Sequence, residues 1–365
     1  MRPPGLPSTG APSLGVVGAA LGVVATGVAL GLAAERYAIG RVRLRPDPAA
    51  AEPFFELPAD RTRTVPTEDG VALHVEEVGP QAADLTVVFV HGYVQEMAVW
   101  HYQRQSLGAD GDVRLVFYDQ RSHGRSARGP AESSTIDQLG RDLGTVLDAV
   151  VPTGPVVLVG HSMGGMTVMA LADARPELFG DRVVGVALVG TSAGKLASLT
   201  FGLPKAVLPV TRRVLPLLTR GMARRPRPFE RGRRAGSDLA FVVTRRGGFG
   251  SGDVSPAVVE FVATMAARTP VDVIAEFYDT FMSHDKLAAL GVLCELDVLV
   301  LVGSDDLMTP VEHSRALADA LPRGRLVVVE GAGHNVALER PEQVTDELRA
   351  LVRRVRDRAA DQRSA

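Results

Sequence analysis

Ser162 lies in the stretch VVLVGHSMGGMTVMAL, residues 156–171, between glycines at positions 160 and 164. A serine hydroxyl becomes a nucleophile when a neutral imidazole can reach it and a carboxylate holds that imidazole in the right tautomer. The residues before it, Val156 to Val159, read as a buried strand; after it, Met166, Met169, Ala170 and Ala174 recur at helical spacing. A chain that passes from strand to helix at one residue forces that residue into a strained, left-handed conformation, which only small neighbours tolerate. Ser162 is thus expected on a corner with its hydroxyl clear of the fold. The amide of Met163 then lies at the positive end of the helix, where developing negative charge is stabilised. The G-x-S-x-G pattern is that of a nucleophile elbow, although taken alone it also fits a tight glycine turn closing a βα unit.

The partners must come from elsewhere in the chain. His334, in VEGAGHNVALERP, follows the last expected strand and precedes the last helix, with Gly331 and Gly333 letting its loop turn tightly. Asp305 and Asp306, in LVLVGSDDLMTP, are the candidate acids. Asp306 is preferred, three residues after Gly303 and four before Pro310, which leaves Asp305 for hydrogen bonds within the turn. Each has a plainer explanation, a solvated histidine on a glycine-rich loop or a helix N-cap. His284 falls in an inserted cap and His313 within a helix, so neither is as well placed. The order Ser, Asp, His, each directly after an expected strand, outweighs the separate explanations because one mechanism requires all three.

The elements that would position these residues alternate along the chain. Strands are expected near Arg63 to Pro66, Val71 to Val78, Leu85 to Val90, Leu115 to Tyr118, Val183 to Val189, Val298 to Val302 and Leu326 to Val329, besides the one leading to Ser162. Helices are expected over Thr135 to Val150, Val311 to Leu321 and from about Pro341 onward. Apolar strands alternating with helices imply an α/β fold with a mostly parallel central sheet covered on both faces. Between Thr191 and Leu290 the alternation stops. Ser255-Pro256 and Thr269-Pro270 look like helix starts with Pro at the first helical position, the second with Asp272 as a capping-box acid. Such an insertion, emerging at the carboxyl end of the strands, would lie over the catalytic corner as a helical cap. The expected division is 1–45 as an anchor or signal peptide with its flank, 46–61 as a Pro/Ala linker, 62–192 and 291–360 as the core, and 193–290 as the cap.

At 365 residues and 46% hydrophobic content, the chain can bury a large core. A net charge of −2 exerts no general pull toward nucleic acid. Cys294 is the single cysteine, which excludes a disulfide framework and a cysteine metal site. Residues 14–34 carry no charge and would span about 31 Å as a helix, close to a bilayer's hydrocarbon thickness. An uncleaved membrane anchor is favoured over a signal peptide, whose apolar core is usually about 7 to 15 residues. Only Arg2 precedes this stretch whereas Arg36, Arg41, Arg43 and Arg45 follow it, which places the large domain in the cytoplasm; export after cleavage is the alternative. Residues 211–234 hold nine arginines and one glutamate. That run reads either as a solvated face or as a contact for anionic lipid headgroups beside the anchor.

From about residue 62 to 357 the chain resembles the α/β-hydrolase family, in its lid-bearing bacterial esterase and lipase-like branch. The resemblance rests on FVHGYVQEMAVW, YDQRSHGRS, GHSMGG, and the pair GSDDLMTP and GAGHNVALERP. It implies that the HG-x block supplies a second oxyanion donor, here the backbone N–H of Tyr93, beside that of Met163. Asp119 to Ser126 resembles the family's D-x-R-G-x-G-x-S turn, with Ser122 where Gly is common, and its role is read as structural. Relatives that open epoxides or cleave carbon–halogen bonds carry Asp at the elbow, which Ser162 argues against. The implied activity is hydrolysis of carboxylic esters, of small molecules or lipids, by a Ser162-His334-Asp306 triad through an acyl-enzyme, with no metal or cofactor. Of the cap aromatics Phe201, Phe229, Phe261, Phe277, Tyr278 and Phe281, some could line an acyl pocket and the rest would pack the cap. Two alternatives share this sequence: a cofactor-free perhydrolase or haloperoxidase using the same triad, and a catalytically inactive membrane-tethered scaffold.

Overall fold

The computed structural model describes residues 47–196 and 237–364, with scattered positions between 219 and 230. All but Asp47 belong to the unit Pro48–Ala365. The proposed anchor, residues 14–34, and most of the arginine-rich run lie outside the described residues, as do Phe201 and Phe229. Among the described residues no helix is long and apolar enough to cross a membrane.

One sheet organises the unit. Its strands are β1 (Arg61–Pro66), β2 (Ala72–Val78), β3 (Thr86–Val90), β4 (Arg114–Tyr118), β5 (Val156–His161), β6 (Val183–Val189), β7 (Asp297–Gly303) and β8 (Gly324–Val329). They lie in the order β1-β2-β4-β3-β5-β6-β7-β8. The pairs β1–β2 and β2–β4 are antiparallel, and every pairing from β4 to β8 is parallel. Strands β3, β4, β5 and β7 are buried at every residue, as central parallel strands covered on both faces must be.

Helices α1 (His101–Asp110), α2 (Ile136–Val150) and α3 (Met163–Ala174) follow β3, β4 and β5. Val88, Val90, Val116, Tyr118, Val156 and Leu158 share one apolar cluster with Leu139, Leu143 and Leu171 of α2 and α3. The intervening residues point to the opposite face. There Val157 and Val355 close around Gly185, so the C-terminal helix covers that side. Helix α1 had no counterpart among the sequence expectations, because HYQRQSLGAD offers little apolar stripe; it buries His101, Gln103, Arg104 and Leu107 instead.

After β6 come α4 (Ser237–Gly248), α5 (Pro256–Arg268), α6 (Val271–Glu276) and α7 (Tyr278–Ser283). Helices α8 (Val311–Asp319), α9 (Val336–Glu339) and α10 (Pro341–Ser364) complete the chain. Ser255 caps α5, accepting from the Val258 amide with Pro256 in the first turn. At α6 the expectation is off by one residue: Pro270 is itself the N-cap and Asp272 turns instead toward Arg128. The expected linker is also more than a spacer. Phe54 stacks on Phe261 of α5 with ring centroids 4.4 Å apart, Phe55 meets the same ring at 4.7 Å, and Arg268 lies 3.8 Å over Phe55. Glu52 reaches His101 of α1 at 3.1 Å. Pro and Ala spacing signalled an irregular chain, but the two phenylalanines give it an apolar face to bury.

Candidate active site

Ser162 occupies the corner between β5 and α3 with φ 53 and ψ −117, one of the few non-glycine residues with positive φ. The flanking glycines do more than permit the turn. A Cβ on Gly160 would stand 2.5 Å from the Gly164 carbonyl oxygen, and one on Gly164 would stand 2.1 Å from that of Val90. The corner is therefore pressed against itself and against the end of β3. The Ser162 amide donates to the Val189 carbonyl at 2.9 Å and the Thr191 hydroxyl to the Ser162 carbonyl at 2.7 Å, which fixes the corner to β6 as well. Within α3, the amides of Gly165 and Met166 turn back to the Ser162 carbonyl. Those of Met163 and Gly164, ahead of them, have no carbonyl within the helix to reach. Tyr93 follows Gly92, whose added Cβ would lie 3.2 Å from the Ser162 Cβ, so both expected oxyanion donors belong to segments beside the serine.

His334 lies on the loop between β8 and α9, and its Nδ1 is 2.9 Å from Asp306 Oδ2. Asp306 is held by its own turn: Oδ1 accepts from the amides of Met308 and Thr309, each at 2.8 Å, and Oδ2 from the Thr309 hydroxyl at 2.9 Å. Burial pushes this carboxyl up, but the His334 charge and the hydrogen bonds from His334 and Thr309 together leave it below its ordinary value. Asp306 is thus a buried carboxylate with donors on both oxygens. Asp305 faces away, accepting from the amide and hydroxyl of Ser251 at 2.9 and 2.6 Å. His313 lies 2.7 Å from the Ser192 hydroxyl and His284 3.0 Å from the Ser192 carbonyl, both apart from Ser162 in the hydrogen-bond network.

Several loops converge at this rim. A Cβ on Gly190 would lie 3.4 Å from Asp306 Oδ2, 3.5 Å from the His334 carbonyl oxygen and 3.6 Å from the ring of His161. His161 immediately precedes the serine, and its Nε2 is 2.9 Å from the His334 carbonyl oxygen. Among the described residues no hydrogen bond joins the Ser162 hydroxyl to the His334 imidazole; links of this kind commonly tighten only on a bound substrate.

The surrounding histidines are neutral. Burial pushes His91 down to about 4 and His123 to about 3; burial and then the nearby His334 charge push His161 to about 3. His91 Nε2 accepts from the Gln120 amide at 2.9 Å, so its proton sits on Nδ1, facing the Gly92 carbonyl at 2.7 Å. The cap closes over the same rim. The Tyr93 hydroxyl donates to the Ile274 carbonyl, and its ring meets Phe281 at 4.9 Å and Phe277 at 6.1 Å. Phe261, by contrast, is engaged with Phe54 and Phe55.

The YDQRSHGRS turn is a buried support. Arg121 is fully buried and bonds both oxygens of Asp142, at 2.6 and 2.7 Å, and both of Asp69, at 2.8 and 3.0 Å. Ser122, at the position where glycine is common, holds a φ of 65, and its hydroxyl accepts from the Gly129 amide at 3.0 Å. Thr309, His161, Gln95 and Asn335 escaped notice in the sequence; only Thr309 carried a local signal, lying three residues past Asp306, the spacing at which a capping aspartate accepts from a backbone amide.

The fold and site together define a hydrolase of the α/β class. A model of the alpha/beta hydrolase family matches residues 87–347, and the chain belongs to that family. A curated relative, an sn-1-specific diacylglycerol lipase of Mus musculus, is 24% identical over 270 residues, covering 73% of this chain and 80% of that protein. A thermophilic esterase from Thermogutta terrifontis superimposes with a TM-score of 0.64 at 26% identity, covering 81% of this chain and 99% of that one. A bromoperoxidase from Bacillus anthracis has a TM-score of 0.64 at 20% identity over 80% of this chain and all of its own, a likeness of fold alone.

Proposed function

We propose that the protein is a serine hydrolase of carboxylic esters, with Ser162 as nucleophile, His334 as general base and acid, and Asp306 orienting the imidazole. The observation that carries this reading is Ser162 held at φ 53 on the rim where His334 Nδ1 bonds Asp306 at 2.9 Å. His334 Nε2 takes the Ser162 proton as Oγ bonds to the ester carbonyl carbon. The oxyanion forms beside the amides of Met163 and Tyr93. Collapse breaks the acyl–oxygen bond, and His334 protonates the departing alcohol. Water, deprotonated by His334, then attacks the acyl-enzyme to release the acid and restore Ser162.

Apolar acyl groups suit the site, since Tyr93, Phe277 and Phe281 form an aromatic wall between the oxyanion loop and the cap. Similarity to a diacylglycerol lipase supports substrates of this kind, and similarity to an esterase supports ester hydrolysis. Fluorophosphonate labelling tests the reading: the protein should be labelled and Ser162→Ala should not. An unlabelled wild-type protein would point to an inactive scaffold. Esters of graded chain length, assayed with and without hydrogen peroxide, separate hydrolysis from peracid formation.

We further propose that residues 14–34 anchor this hydrolase, with its large unit in the cytoplasm. The full chain should then resist alkaline extraction from membranes, and external protease should leave the hydrolase unit intact in sealed cells. Recovery in the soluble fraction would overturn the anchor.

A further inference from the structure

Gln95 is buried, at 5% exposure, and touches the chain neighbours of Tyr93, Ser162 and His334. Its Oε1 accepts from the amide of Gly92 at 3.0 Å, next to the Tyr93 donor. The same oxygen lies 3.0 Å from His161 Nδ1, next to Ser162. Its Nε2 donates to Asn335 Oδ1 at 2.9 Å, next to His334. Asn335 in turn donates through Nδ2 to the Gly248 carbonyl at 2.8 Å, and its own amide donates to that carbonyl at 2.9 Å.

The direction of this chain is set from its ends. A backbone amide can only donate and a carbonyl can only accept, so the Gly92 amide and the Gly248 carbonyl fix how both side-chain amides are turned. Reversing Gln95 would set its NH₂ against the Gly92 N–H; reversing Asn335 would set its oxygen against the Gly248 carbonyl. His161, being neutral, has one proton to share between Gln95 Oε1 and the His334 carbonyl, so either tautomer binds it to this assembly. No carboxylate, aliphatic side chain or shorter amide supplies the same acceptor and donor at this reach.

We infer that Gln95 is a positioning residue for the acyl-transfer reaction, tying the oxyanion loop, the Ser162 corner and the His334 loop into one rigid register through a single buried amide. The inference rests on the proposed function, because register matters to rate only if these three loops act together. Angstrom-scale misplacement of groups that act together costs up to about 10²-fold in turnover without changing what the site binds.

Gln95→Met keeps length and burial while removing the amide. Gln95→Glu keeps an acceptor for Gly92 and loses the donor to Asn335. In the full-length protein, with p-nitrophenyl butyrate as substrate, Gln95→Met should lower kcat by about 10- to 10²-fold with KM within about threefold. Gln95→Glu should fall between it and the wild type. Its carboxylate should also draw a second proton to His161, adding an ionisation to the pH–rate profile. Amide exchange, which needs no turnover, should speed up at Gly92 in Gln95→Met and at Asn335 in both variants. Wild-type kcat in Gln95→Met, or a loss confined to KM, overturns the inference. Should that variant not fold, wild-type kcat and an unchanged pH profile in Gln95→Glu do the same. If the wild-type protein neither takes the fluorophosphonate nor cleaves any ester, the hydrolase reading fails on its own, and the exchange rates decide whether Gln95 ties the loops.

Discussion

Thr309 holds Asp306 from two sides, its amide on one carboxylate oxygen at 2.8 Å and its hydroxyl on the other at 2.9 Å. The acid that faces His334 is thereby oriented by a residue three positions away in its own turn, and adjacent Asp305 is committed to Ser251. The two aspartates should separate cleanly on mutation. Asp306→Asn should lower kcat by about 10³- to 10⁴-fold, since an amide donor facing Nδ1 favours the wrong tautomer. Asp305→Asn should leave kcat within about threefold of the wild type. Ester-hydrolysis kinetics on both variants check the pair, and equal losses would contradict the assignment.

Stability should fall in mild acid. His91, His123 and His161 stand at about 4, 3 and 3 in the folded chain, against an ordinary 6.5, because burial opposes their charge. His284 and His313 are shifted in the same direction by burial. As pH drops below 6.5 the unfolded chain binds protons that the folded chain refuses, so unfolding becomes easier. The loss approaches about 1.4 kcal/mol per pH unit for each deeply buried histidine, down to about pH 4. Asp306, lowered from 3.8, adds a loss in the same direction only below that value. Urea denaturation at pH 7, 6 and 5 measures this, and a flat profile would show that these rings take up protons as readily in the fold as in the unfolded chain.

Gly164→Ala should cost at least about 3 kcal/mol, because the new methyl would meet the Val90 carbonyl oxygen at 2.1 Å and neither backbone can withdraw without opening the β3–β5 pairing. A thermal melt of the variant decides it. Unchanged stability would mean that the corner can relax away from β3.

Phe54→Ala should destabilise the fold by about 1 to 2 kcal/mol, through loss of the stack on Phe261 and the tilted contact with His101 at 4.9 Å. Amide exchange should quicken in α5 more than in α3, since Phe54 meets Phe261 of α5 and His101 of α1 but no residue of α3. Equal effects on both helices would argue against a local clamp.

Much of the architecture was legible because period and punctuation act locally. The apolar runs of β3, β4, β5 and β7 announced strands buried on both faces, and the glycines around Ser162 announced a corner. Asp306 and His334 could be named because each directly follows a strand, and parallel strands deliver their carboxyl ends to one rim. Ser162, His334 and the Asp305-Asp306 pair, with Asp306 preferred by spacing, were thus legible as candidates from the glycine pattern and from order along the chain.

Other features depended on which distant segments meet. No pattern around Gln95 signals contact with Asn335, 240 positions away, and no pattern around Phe54 signals a stack on Phe261. The choice between Asp305 and Asp306 was likewise a matter of direction: neighbouring residues in one turn point opposite ways, and only the folded turn aims one at His334. Strand and helix identity follow from local backbone preference and burial period, which the sequence carries. The matching of buried donors to acceptors across loops is a property of the closed fold, because each polar group there must find its partner wherever the chain brings one.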